Sequence, residues 1–149
     1  MPSNHKPGDS STQKEAHEYI RKELAAILGL NERRLSDTRI DVKDSFMEFT
    51  SLSKDLRIVC EASAHIGKTK TAQIHKVMNN AMKMLFLEQL EGVSYRKILV
   101  FIDDEAASKF VGNGWHGECL RKNGIEVMVV NVPEYIKEKV KGTQKDQSR

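Results

Sequence analysis

Apolar residues recur at Ala16, Ile20, Leu24 and Ile27, which lays them along one face of a helix. The spacing predicts a helix from Thr12, where Thr12 and Glu15 fit a capping box, to a stop at Gly29. Residues 31–45 are polar and read as turns. Two short apolar runs follow, FMEFT at 46–50 and LRIVCEA at 56–62, on either side of SLSKD. They predict a β-hairpin with a loop of about five residues, its second strand apolar enough to be central and buried. From Thr71 the period becomes helical again, with Ile74, Met78, Ala81 and Leu85 in one stripe and a stop at Gly92. Met78, Met82 and Met84 read as core and rim residues of that helix. KILVFID at 97–103 predicts a third strand, DEAASKFV a short helix, GNG at 112–114 a break and WHGECLRK a further helix. Asn123-Gly124 ends that helix, and IEVMVVNV at 125–132 reads as a fourth, buried strand. Pro133 then opens a last helix, PEYIKEKVK. A hairpin followed by alternating helices and strands implies an α/β fold: a three-layer sandwich with a mixed central sheet of about four to five strands flanked by helices. Residues 12–141 form one α/β domain on this reading, with disordered tails at 1–11 and 142–149.

Composition adds exclusions. With 39% hydrophobic and 30% charged residues over 149 positions, the chain reads as globular, with enough length for a proper core. No apolar run reaches the length of a membrane-spanning helix, and MPSNHKPGDSSTQ lacks the apolar stretch of a signal peptide. Cys60 and Cys119 have neither metal-site spacing nor a pairing pattern, and Cys60 reads as a reduced core residue. The expectation is a cytoplasmic protein without membrane contact. A net charge of +3 is too mild to identify a nucleic-acid binder on its own.

The candidate chemistry sits on the predicted hairpin. Metal-dependent phosphodiester hydrolysis needs carboxylates held together, because a hard divalent ion takes oxygen ligands and activates water beside the phosphate. Glu61 closes the central strand, and Asp41 and Asp44 precede the other strand. With the loop centred near residue 53, Asp44 falls almost opposite Glu61. This arrangement, an acid in RIDVKD followed by Glu61 in VCEAS, resembles the PD-(D/E)XK (restriction-endonuclease-like) nuclease superfamily across residues 12–132. The resemblance implies a restriction-endonuclease-like fold, hydrolysis of DNA (RNA less so) with Mg2+ or Mn2+, and a homodimer. It assigns metal binding to Asp41, Asp44 and Glu61, and catalysis to Asp44, Glu61 and Lys68. Glu15 or Glu18 on the first helix would add an outer metal contact. The family's motif lysine is replaced by Ser63, so its role would pass to Lys68 or Lys70. Lys68, Lys70, Gln73 and Lys76 gather at the start of the 71–90 helix and are assigned to the nucleic-acid backbone.

Two other readings stay open. Ser63 also suits a catalytically silent nucleic-acid or protein binding module on the same fold. Ala62 to Thr69, ASAHIGKT, fits a loosened phosphate loop, with Lys68 on phosphate and Thr69 on magnesium, and KILVFIDDE resembles its partner strand. Against that loop, Ala62 replaces its first glycine and Glu61 at its mouth would repel phosphate. Asp103-Asp104 is better read as the N-cap of the following helix. His65 reads as a loop histidine, with a metal or proton role as the alternative, and Trp115 as core or interface packing, with stacking on a base as the alternative.

Overall fold

The computed structural model describes residues 9–147, and alternation along its strands decides the layers. Helix α1 (Asp9–Leu28) leads through a short 3₁₀ turn, Glu32–Arg34, into strands β1 (Ser36–Val42), β2 (Ser45–Ser53) and β3 (Ile58–Ser63). Helix α2 (Thr71–Glu91) then crosses to β4 (Arg96–Phe101). Helices α3 (Asp104–Val111) and α4 (Trp115–Lys122) cross to β5 (Ile125–Val129), and α5 (Glu134–Gln147) follows. The strands lie in the order β1-β2-β3-β4-β5. The first three pair antiparallel, and β3, β4 and β5 run parallel, so the sheet is mixed.

Ile58, Cys60, Ile98 and Val100 point to one face, where they meet Ala16, Ile20 and Leu24 of α1 and Ile136 of α5. Val59, Leu99 and Phe101 point to the other, against Val77, Met84 and Leu87 of α2, Phe110 of α3 and Leu120 of α4. Both faces of β3 and β4 are therefore covered, which is why these strands read as continuous apolar runs. The result is a three-layer α/β sandwich. Burial pushes the Cys60 thiol up to about 12, so it packs as a small, unreactive apolar group.

The structure corrects the sequence reading at the first hairpin. Residues 36–42, expected to be turns, form a strand, and the tight turn lies at Lys43-Asp44, with Lys43 at φ +50°. β2 extends to Ser53, so the β2–β3 connection is Lys54–Arg57 and lies later than expected. Thr12 sits inside α1, which begins at Asp9, and Glu15 pairs with Lys139 of α5 at 2.9 Å, so no capping box forms. α5 continues through residues 142–147, where a tail was expected. The rest of the expected tails, residues 1–8 and 148–149, lies outside the described residues. Among the described residues no helix is long and apolar enough to cross a membrane.

Candidate functional site

The site originates in a defect of the sheet. Ser36 pairs with Leu52 and Thr38 with Phe49, so β2 uses three residues where β1 uses two. Such a bulge bends a strand and re-aims its neighbours. The regular β2–β3 ladder, Ser53 to Ser51 against Ile58 to Cys60, stops there. Thr50 takes over: its hydroxyl donates to Cys60 O at 3.3 Å and accepts from the Ala62 N–H at 3.1 Å. Its own N–H goes to Glu61 Oε1 at 2.9 Å. The carboxylate thus replaces a strand carbonyl, and the two strands part around it.

Glu61 is only 6% exposed. Burial raises its pKa above the ordinary carboxylate range, opposed by Lys83, by the Thr50 hydrogen bond and by Lys76. The Lys83 ammonium stands 3.7 Å from Glu61 Oε1, donates to Glu48 O at 2.6 Å and sits 5.0 Å over the Phe49 ring. Lys83 belongs to a polar stripe on α2. Gln73, Lys76, Asn80 and Lys83 recur at helical spacing and line one wall of a cleft of about 780 Å³ beyond the carboxyl end of β3. The opposite walls come from α1, through Thr12, Lys14 and His17, and from β1, through Asp37 and Arg39. Glu61 and Ser63 contribute to its lining from β3. A crevice outside the carboxyl ends of the strands is the usual ligand position in open α/β sheets. His17 is held below its ordinary pKa by burial first, then by Arg21, with Lys76 adding to the effect and Asp37 opposing it.

Several predicted site residues lie elsewhere. Register places Glu61 level with Thr50, because Ser51 faces Cys60. Asp44 sits in the β1–β2 turn, about 20 Å away along the strand at 3.3 Å per residue. Asp41 is opposite Phe46 and paired with Arg39 Nε at 3.0 Å. Neither aspartate lines the cleft. The expected trio of Asp41, Asp44 and Glu61 therefore does not form, and no group of three or more His, Cys, Asp or Glu suited to a metal occurs among the described residues. The remaining cleft carboxylates are Asp37, Glu48 and Glu61. Asp37 faces Arg21 at 3.4 Å, and Glu61 already has an ammonium beside it. This donor set does not fit the Mg2+ or Mn2+ that the resemblance implies, since a hard cation would compete with Lys83 for the one buried carboxylate.

Lys68 and Lys70 are exposed and do not line the cleft, whereas Gln73 and Lys76 do. Lys83, Lys14, Arg39 and His17 went unremarked in the sequence. Lys83 was legible there, since it continues the Gln73-Lys76-Asn80 spacing. Glu18 and Glu15 are also absent from the lining.

The GKT segment has a structural task. Gly67, at φ +88°, donates its N–H to Asp103 Oδ2 at 2.8 Å, and the same oxygen caps α3 through the Ala106 N–H at 3.1 Å. The Thr69 hydroxyl is buried and donates to Ala106 O at 2.8 Å. Gln144 of α5 holds Ile66 at both its N–H and its carbonyl. The Gly67 amide and Thr69 hydroxyl that a phosphate loop would offer are thus engaged by the protein itself. The N-cap expected of Asp103 is present. No known protein family, curated protein or solved structure matches this chain.

Proposed function

We propose that the chain is a nucleic-acid-binding α/β module that takes a phosphate backbone into the Glu61 cleft. The observation that carries this reading is the α2 stripe Gln73-Lys76-Asn80-Lys83 facing Lys14 and Arg39 across about 780 Å³. Lys14 and Lys76 make no ion pair among the described residues, so their charge is available to a ligand. Asp37 and Glu61 are matched to Arg21 and Lys83, which leaves Glu48 as the cleft carboxylate without an ion pair among the described residues. Amide and hydroxyl donors between the cations suit phosphate and sugar contacts, which position a strand without reading its sequence. DNA, in the cytoplasm, is the first substrate to test.

The experiment is a salt titration of oligonucleotide binding by fluorescence anisotropy. Lys76→Ala and Lys14→Ala should each weaken binding and reduce the slope of log affinity against log salt by about 0.7–0.9. Lys54→Ala, at the opposite end of β3 and paired with Glu91, should leave both unchanged. Slopes that do not move in Lys76→Ala or Lys14→Ala would place any bound nucleic acid outside the cleft and end this reading.

Phosphodiester hydrolysis is a second reading, favoured by one contact: a buried carboxylate with a lysine 3.7 Å away on the cleft floor. Lys83 would then stand for the lysine missing at Ser63. Plasmid nicking that Glu61→Gln abolishes and Lys68→Ala preserves would establish it. Equal nicking by wild type and Glu61→Gln would remove it.

A further inference from the structure

Trp115, which reads from the sequence as core or interface packing, is 66% exposed at the start of α4, so core packing does not hold. A tryptophan that large is highly buried on average, and at surfaces it concentrates in binding sites. Its ring is not loose. His116 stacks on it at a centroid distance of 3.8 Å and an interplanar angle of 28°. His116 in turn meets buried Phe110 edge-on at 6.3 Å. The corner below is tightly fixed. A Cβ on Gly117 would lie 2.4 Å from Gly112 O, so only glycine lets α4 sit this close to the end of α3. Arg121 closes the same corner by donating to Val111 O at 3.2 Å and Gly112 O at 2.9 Å. One face of the indole is therefore backed by an imidazole, and the exposed remainder is held on a rigid mount.

Glu118, the acid on the first turn of α4, is paired with Arg121 at 2.6 Å. Lys109 of α3 and His75 of α2 both lie close enough to act on the His116 ring. His75 is one residue from Lys76 and two from Gln73, which line the cleft. His75 therefore links the two places along α2, since it acts on His116 and neighbours the cleft-lining Lys76 in sequence.

We propose that Trp115 on His116 is a stacking platform for an unpaired base of a single-stranded nucleic acid whose backbone runs into the Glu61 cleft. The proposal rests on the cleft reading and narrows its substrate to single strands. Duplex bases are already stacked on one another and cannot reach the indole, whereas any unpaired base has a π-face to offer.

Trp115 is the only tryptophan in the chain, so its fluorescence reports this position alone. The full chain is titrated with oligo(dT), oligo(U) and a DNA duplex of equal length, while anisotropy of a dye on the nucleic acid records binding independently. Saturable quenching by oligo(dT), oligo(U) or both, but not by the duplex, is expected, and the relative quenching assigns DNA or RNA. Trp115→Ala should weaken single-strand binding about 5- to 100-fold. Trp115→Phe should recover part of the loss, and duplex affinity should stay within about twofold. Anisotropy that shows single-strand binding with unchanged fluorescence, or with unchanged affinity in Trp115→Ala, overturns the platform and leaves the cleft reading standing. No binding of any of the three nucleic acids overturns both.

Discussion

Glu61 and His17 face the same cleft with opposite displacements, and the signs can be worked through. Burial raises the Glu61 pKa, so from 4.5 upward the folded chain holds a proton that the unfolded chain releases. Stability contributed by Glu61 is full below 4.5 and is lost as pH rises through the raised value. Burial lowers the His17 pKa, so its contribution is present above 6.5 and is lost as pH falls through the lowered value. The two trends oppose each other at mildly acid pH. Glu61→Gln, whose amide oxygen still accepts the Thr50 N–H, should expose a stability that rises with pH up to 6.5. His17→Gln should expose a stability that declines above 4.5. Urea midpoints of the three proteins between about pH 4 and 8 test this, and parallel profiles would show that neither group titrates as argued. At this scale the position of Glu61 near the end of a buried strand was legible, because the apolar run RIVC leads into it. The partners of Glu61 were not, because those depend on register.

A single element accounts for that failure. β1 carries one buried apolar side chain, Ile40, and its turn is Lys43-Asp44, without the glycine or asparagine that signals a two-residue hairpin. With so weak a signal for β1, the pattern puts the hairpin loop too early and sets Asp44 against Glu61. Elements with strong signals behaved differently: α3 and α4 have the expected boundaries, because Asp103 caps one and Asn123-Gly124 stops the other. The acids at the end of α2, unfavourable for the helix dipole, also find a cause. Glu88 Oε2 accepts from the Tyr95 N–H and from Lys97 Nζ, each at 2.7 Å, and so fixes the entry into β4. Asp103 does the equivalent work at the other end of β4, where one oxygen serves both the Gly67 loop and the start of α3. Asp103→Ala should therefore cost more than an ordinary N-cap loss of about 1 kcal/mol, reaching about 2 kcal/mol or above. Chemical denaturation measures it. A loss below about 0.5 kcal/mol would mean that the loop amide finds water at no cost.

For the molecule as a whole, the three-layer α/β arrangement was legible because periodicity reports which elements are covered and on how many sides. The cleft was not, because it depends on where the ladder stops and on which helix residues happen to line the opening. The cleft draws on both ends of the chain: Thr12 and Lys14 from the first helix, Val140 and Gln144 from the last. These helices run antiparallel, with Glu15 on Lys139 and the Tyr19 hydroxyl 2.6 Å from that of Tyr135. The beginning of α1 and the end of α5 therefore meet side by side. Chain order there is incidental to the architecture, and a circular permutant is the way to show it. A short flexible linker joining Gln147 to Asp9, with the chain reopened between Lys43 and Asp44, should unfold in one cooperative step and keep the tyrosine pair. Loss of cooperativity would mean that the β1–β2 turn, and not the packing of the two end helices, holds the first three strands in register.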